Sequence, residues 1–153
     1  KAAGDIIILS NPETIHIGDV FAYLDKKEYT DTYHVFDCAT VNMSVDDNGY
    51  MTPIFIQWYQ HETINRKYHF LSAISKTNYW KVGGFNEELC RGIAYEDDFF
   101  IRAIKKSGMV INCVDNPYCA HIEHSRDYGI RQEEKDLLIA INEQLWKKEN
   151  GVI

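Results

Sequence analysis

No apolar run in this sequence approaches the ~18 residues of a membrane-spanning helix, so no transmembrane segment is expected. A signal peptide is missing as well, and residues 1–4 lead straight into an apolar stretch, so the chain is expected to begin inside a longer protein. Proline is scarce, with three residues, and low-complexity tracts are absent, which excludes a disordered or linker-like chain. The four cysteines (Cys38, Cys90, Cys113, Cys119) form no CxxC pair. All but Cys90 sit in apolar or aromatic surroundings, where a free thiol behaves as a small hydrophobe, so a reducing compartment is expected, cytoplasmic or peripheral to a membrane. Lys105-Lys106 and Lys147-Lys148 are only short basic pairs near expected helix ends, and the net charge of -7 repels phosphate backbones. Nucleic acid is therefore not an expected partner.

What is present is apolar and aromatic. Ten Tyr, seven Phe and three Trp accompany 45% apolar content in 153 residues, enough for one domain with a real core. Residues 5–10 (DIIILS) form a β-branched run that suits a strand buried on both faces, as in a parallel sheet. Residues 11–14 read as a turn. Over residues 16–26 Ile17, Val20, Phe21 and Leu24 recur at helical spacing. Residues 33–41 predict a strand, and residues 43–53, with Asp46-Asp47-Asn48-Gly49, a loop or hairpin turn. Residues 54–59 fit strand or helix. Residues 68–75 predict a strand, 76–81 a helix stopped by Gly83-Gly84, and 97–106 a helix stopped by Gly108. Short strands are expected at 109–114 and 118–122, a polar turn at 125–129, and a last helix over 132–148 striped by Leu137, Leu138, Ile141 and Leu145. The class is α/β or α+β with a mixed sheet.

Chemistry has three candidate places. Glu96, Asp97 and Asp98 fall in the first turn of a helix, where carboxylates meet orphan backbone N–H groups and the positive end of the dipole. One cap would suffice, so three adjacent acids set against Tyr95 and Phe99 also suit a general base. In His121-Ile122-Glu123-His124 the two imidazoles can share a metal if the strand ends in a turn; in a continuing strand they would point apart. Asn11-Pro12-Glu13 follows the first strand, at the place where ligands bind in open α/β sheets, and is equally readable as an ordinary turn. Their order along the chain suggests one composite site.

The block FLSAISK (residues 70–76), then VGGFNE (82–87), Glu96-Asp97-Asp98, Arg102 and Gly108 resembles the second half of the catalytic domain of GT-A glycosyltransferases. It is similar to the family-2 transferases and to the beta-galactosyltransferase C-terminal region, which shares a His-Ser-Arg-Asp segment, here residues 124–127. The resemblance covers residues 4 to 127 and implies an α/β, mixed-sheet, GT-A-like half that lacks the N-terminal nucleotide-binding portion. Residues 1–130 would be the catalytic region and residues 131–153 a C-terminal helix packed on it.

The resemblance further implies a nucleotide-sugar donor, expected to be a UDP-sugar carrying a hexose or N-acetylhexosamine, a glycan or other hydroxyl acceptor, and a divalent metal, usually Mn²⁺. Asp97 corresponds to the base of the inverting members, with Glu96 as an orienting group and Asp98 as a rival because the spacing to Arg102 is one residue short. Gly83, Gly84, Phe85, His69 and Tyr95 correspond to donor or acceptor contacts. The family's Asp-x-Asp metal motif reads Asn11-Pro12-Glu13 here, leaving Glu13, His121 and His124 as the metal set. Alternatives are a retaining transferase, a non-catalytic carbohydrate-binding or pseudo-glycosyltransferase module, and a structural metal knot using the histidines and cysteines. The chain alone is expected to be inactive.

Overall fold

Residues 3–64, 69–124 and 129–151 are described by the computed structural model. Among them six strands and four α-helices build an α/β fold around one mixed, open sheet. Its spine is β3 (Thr32–Val45), buried without a break from Tyr33 to Val41. Such burial requires neighbours on both edges and cover on both faces. The start of β3 pairs antiparallel with β5 (Leu71–Ser75) and parallel with β6 (Val110–Ile122); from Cys38 onward β4 (Met51–Tyr59) occupies the edge that β5 leaves. β1 (Ile6–Ser10) lies antiparallel against β5, and β2 (Thr14–Ile17) antiparallel against β6 at the opposite edge. Residues 11–13 thus carry the chain across the end of the sheet.

Side-chain alternation sends Phe36, Leu71, Ala73 and Cys119 to one face, where they pack with Val20 and Leu24 of α1 (Val20–Asp25). Tyr33, Val35 and Ile74 go to the other, against Phe100, Ile101 and Ile104 of α3 (Glu96–Lys106). α2 (Lys76–Lys81) follows β5 directly, its first turn capped by the Ser75 hydroxyl, which accepts from the Asn78 N–H at 3.1 Å. A 3₁₀ turn (Glu87–Arg91) leads toward α3, and α4 (Gln132–Glu149) packs on that turn. No described helix is long and apolar enough to cross a membrane.

Several local expectations are corrected. The aliphatic run of β1 is not buried on both faces: it is an edge strand and Ile8 is 37% exposed. The helix expected over 16–26 is a strand to Ile17, a Gly18-Asp19 break and a six-residue helix from Val20. Residues 43–53 are mostly strand, the turn itself being residues 46–50, where the Asp46 carboxylate accepts from the Asn48 and Tyr50 N–H groups at 2.9 Å each. The two strands expected at 109–114 and 118–122 are one, β6, whose register against β3 jumps between Phe36 and Cys38 so that residues 115–118 bulge around Pro117. The apolar stripe of α4 is largely open, with Leu137 64% and Ile141 39% exposed; its one buried residue is Asn142. Tyr68 and residues 125–128 lie outside the described residues.

Candidate functional site

The crossing at residues 11–13 is held at one end of the sheet by the Asn11 N–H, which donates to the Phe70 carbonyl at 3.0 Å, and by the Thr14 hydroxyl, which donates to the Asn11 carbonyl at 2.7 Å. β2 pairs Thr14 with His121, so the antiparallel register itself brings the residue beside Thr14 to the histidine 108 positions later. Glu13 Oε1 lies 3.2 Å from His121 Nε2 and 3.6 Å from His124 Nε2. One donor atom from each of the three side chains falls within 4.8 Å of the others. β6 ends at Ile122, which lets the second imidazole turn back toward the first; the rings are 5.5 Å apart. Partial burial alone would raise the Glu13 carboxyl, but its own backbone N–H, the His121 hydrogen bond and the charges of both rings outweigh it and hold the group below the usual carboxylate range.

Donors bound to one first-row divalent ion at about 2.0–2.2 Å stand roughly 3 to 3.5 Å from each other, so the two separations from Glu13 suit such an ion. One carboxylate with two imidazoles is a mixed set that Mn²⁺ or Zn²⁺ accepts. No cysteine joins the cluster among the described residues. The Cys38 sulfur beside it and burial push the Cys119 thiol up.

The acids occupy the first turn of α3, which begins at Glu96. Immediately before it, Ala94 and Tyr95 take positive φ angles of 66° and 74°. Two successive non-glycine residues in the left-handed region cost of order 1–3 kcal/mol each and persist only where neighbours hold them. Here the holder is α4. The Asn142 amide donates to the Ala94 carbonyl at 2.8 Å and to the Leu89 carbonyl at 3.1 Å, and the Ile93 N–H donates to the Leu138 carbonyl at 3.1 Å. Gly92 is required at the crossing, because a Cβ there would run into the Asn142 side chain and the Leu138 carbonyl. Trp146 lies against Phe99 at 5.1 Å and near Tyr95 at 6.2 Å. In this way the last helix sets the backbone that presents the acids.

Asp97, one-third exposed, accepts a hydrogen bond from His69 Nε2 at 2.9 Å. Burial, with the Asp97 charge adding to it, pushes the Tyr33 phenol up. Glu96 is exposed and Asp98 half-buried. His69 and Phe70 are consecutive and diverge. His69 goes to the α3 face, whereas Phe70 goes to the α1 face and meets the His121 ring at 5.3 Å. The acid and the triad therefore flank a single dipeptide at one end of the sheet.

The remaining expected contacts are placed differently. Phe85 stacks on Phe100 at 4.8 Å and is a packing residue. Gly83 and Gly84, with φ of 89° and 66°, turn the chain after α2 and line a cleft of about 570 Å³ with Trp80, Arg102 and Lys106. Neither Asp97 nor the triad lines that cleft. Tyr95 supplies a left-handed N-cap position without a side-chain cap. Two residues escaped sequence reasoning. Asp37, 4% exposed, accepts from the His61 N–H at 2.8 Å at the β3 register jump; a charge inside the run YHVFDCATV is the signal. Asn142 sits four residues after Leu138 and three before Leu145, a polar residue in mid-stripe. Comparison with protein-family models and with curated proteins finds no match for this chain.

Proposed function

We propose that this chain is the acceptor-side and metal-side part of a GT-A-type inverting glycosyltransferase. It would move a hexose or N-acetylhexosamine from a UDP-sugar to a hydroxyl of a glycan or similar acceptor. The observation that carries the reading is the meeting of Glu13, His121 and His124 at the same sheet end as Asp97, separated from it by His69-Phe70. Ligands of open α/β sheets bind beyond strand ends, and both β1 and β6 end here.

Glu13, His121 and His124 would hold the divalent cation, which when bound supplies positive charge against the departing diphosphate. Asp97 takes the proton of the acceptor hydroxyl while that oxygen forms its bond to the anomeric carbon. The carbon–oxygen bond to the diphosphate breaks on the opposite side, its electron pair leaves with the nucleotide, and the configuration inverts.

The test is release of UDP from UDP-galactose, UDP-glucose and UDP-N-acetylhexosamines by the full-length protein in Mn²⁺. Asp97→Asn is expected to lower turnover at least ~100-fold with UDP binding retained. Turnover that survives Asp97→Asn would overturn the assignment of the base. A second reading, a non-catalytic carbohydrate-binding module, is favoured by the Asn11 amide, which donates to Glu13 Oε1 at 3.4 Å where the family carries a first carboxylate. Glycan binding without metal-dependent UDP binding would select it.

A further inference from the structure

We infer that His69 is the positioning residue of Asp97, fixing one carboxylate oxygen so that the other faces the acceptor, and is not a contact to the donor sugar. The inference rests on the reading of Asp97 as the base. Two placements lead to it. The His69 side chain is 9% exposed, too deep to reach a sugar lying over the sheet end, whereas the Asp97 side chain is 33% exposed. Its ring is packed on Phe85 at 5.2 Å and Phe100 at 5.7 Å, so it cannot swing away from the carboxylate.

The chemistry of the two ring nitrogens then follows. Nε2 faces an acceptor, Asp97 Oδ1, at 2.9 Å and must carry the proton. Nδ1 is buried and meets no hydrogen-bond partner among the described residues, so it suits the bare lone pair rather than an N–H. One tautomer satisfies both sites. A first-turn aspartate ordinarily rotates back to cap its own helix; tied to His69 through Oδ1, Asp97 is held off that rotamer and Oδ2 is left for the acceptor hydroxyl. The same contact separates Asp97 from its neighbours, since His69 reaches this acid of the three.

Two variants separate positioning from packing. His69→Phe keeps the ring and removes the donor, and is expected to lower kcat by about 10- to 100-fold with the donor KM within about threefold. His69→Gln returns an N–H donor near the Nε2 position and is expected to recover kcat to within about fivefold of the parent. A raised donor KM with unchanged kcat in His69→Phe, or no recovery in a folded His69→Gln, overturns the inference. A long-range ¹H–¹⁵N correlation of the His69 ring tests it without turnover: the proton sits on Nε2 in the parent, and Asp97→Ala releases that preference. A proton on Nδ1 in the parent sinks the inference even if Asp97→Asn is inactive. An active Asp97→Asn with the Nε2 tautomer intact sinks the base assignment alone.

Discussion

Replacing Asn142 with leucine removes the side-chain amide that ties the last helix to the segment presenting the acids and leaves the Ile93–Leu138 backbone bond in place. Two hydrogen bonds vanish, to Ala94 at 2.8 Å and to Leu89 at 3.1 Å. The Leu89 carbonyl keeps the Gly92 N–H at 3.1 Å, so its loss is roughly 1 kcal/mol, whereas the Ala94 carbonyl is left against a hydrocarbon and costs about 1–3 kcal/mol. Asn142 Oδ1 is itself buried without a hydrogen-bond partner among the described residues, and removing it returns on the order of 1 kcal/mol. The net is a loss of about 1–3 kcal/mol, near ~2, which for a chain of this length lowers Tm by about 4–8 °C. Urea unfolding should show an earlier midpoint at unchanged slope, because the surface exposed on unfolding is nearly the same. Amide exchange should rise selectively at residues 92–98, where the left-handed pair at Ala94 and Tyr95 loses its anchor. A loss below about 0.5 kcal/mol with unchanged exchange in that segment would show that α4 does not hold it.

Calorimetric titration with Mn²⁺ alone should find one site per chain, and Glu13→Gln should weaken it at least ~10-fold; equal affinity in parent and variant removes the triad from metal binding. Gly84→Ala should destabilise by about 1–3 kcal/mol in urea, since its φ is 66° and a Cβ would stand 2.9 Å from the Tyr79 ring; a neutral result would mean that the ring moves freely. His34 carries a pH signature. Burial lowers its affinity for a proton, the Glu28 carbonyl acts against this, and Lys27 adds to the lowering. The unfolded chain therefore binds the proton more readily, so stability is complete above the unfolded value near 6.5 and is lost as pH falls below it toward the depressed folded value. Urea midpoints from pH 7.5 to 5 should fall more steeply in the parent than in His34→Gln, and identical slopes would refute the assignment.

β3, β5, α2 and α3 were legible because each carries a local signal: aromatic and aliphatic runs for the strands, and glycine stops behind the helices. β2 was not. Its four residues, Thr14-Ile15-His16-Ile17, alternate polar and apolar but are too few to outweigh the helical spacing that runs on from Ile17, and the strand exists because β6 offers it an edge. Ile17, Val20 and Leu24 do fall at helical spacing, but Gly18, with φ of 81°, breaks the run. Pro117 divided β6 on paper because it lacks an N–H; in the sheet it sits in the bulge, where no ladder bond is required. An unbroken aliphatic run made β1 look central, since hydrophobicity reports burial and not neighbours. The convergence of Glu13 with His121 and His124 was reached through a family resemblance, and the register of β2 on β6 is its physical cause. Nothing local announced His69 as a partner of Asp97, because that contact depends on how β5 and α3 pack.

The 108 positions between Glu13 and His121 have a consequence in time. At roughly 5–20 residues per second, a growing chain completes β1 and the crossing some 5–20 s before the histidines exist. During that interval the carboxylate has neither imidazole, and β2 has no strand to lie on. The triad thus cannot assemble before β6 is made, and a cation held by all three side chains can act only on a chain in which every described strand of the sheet already exists.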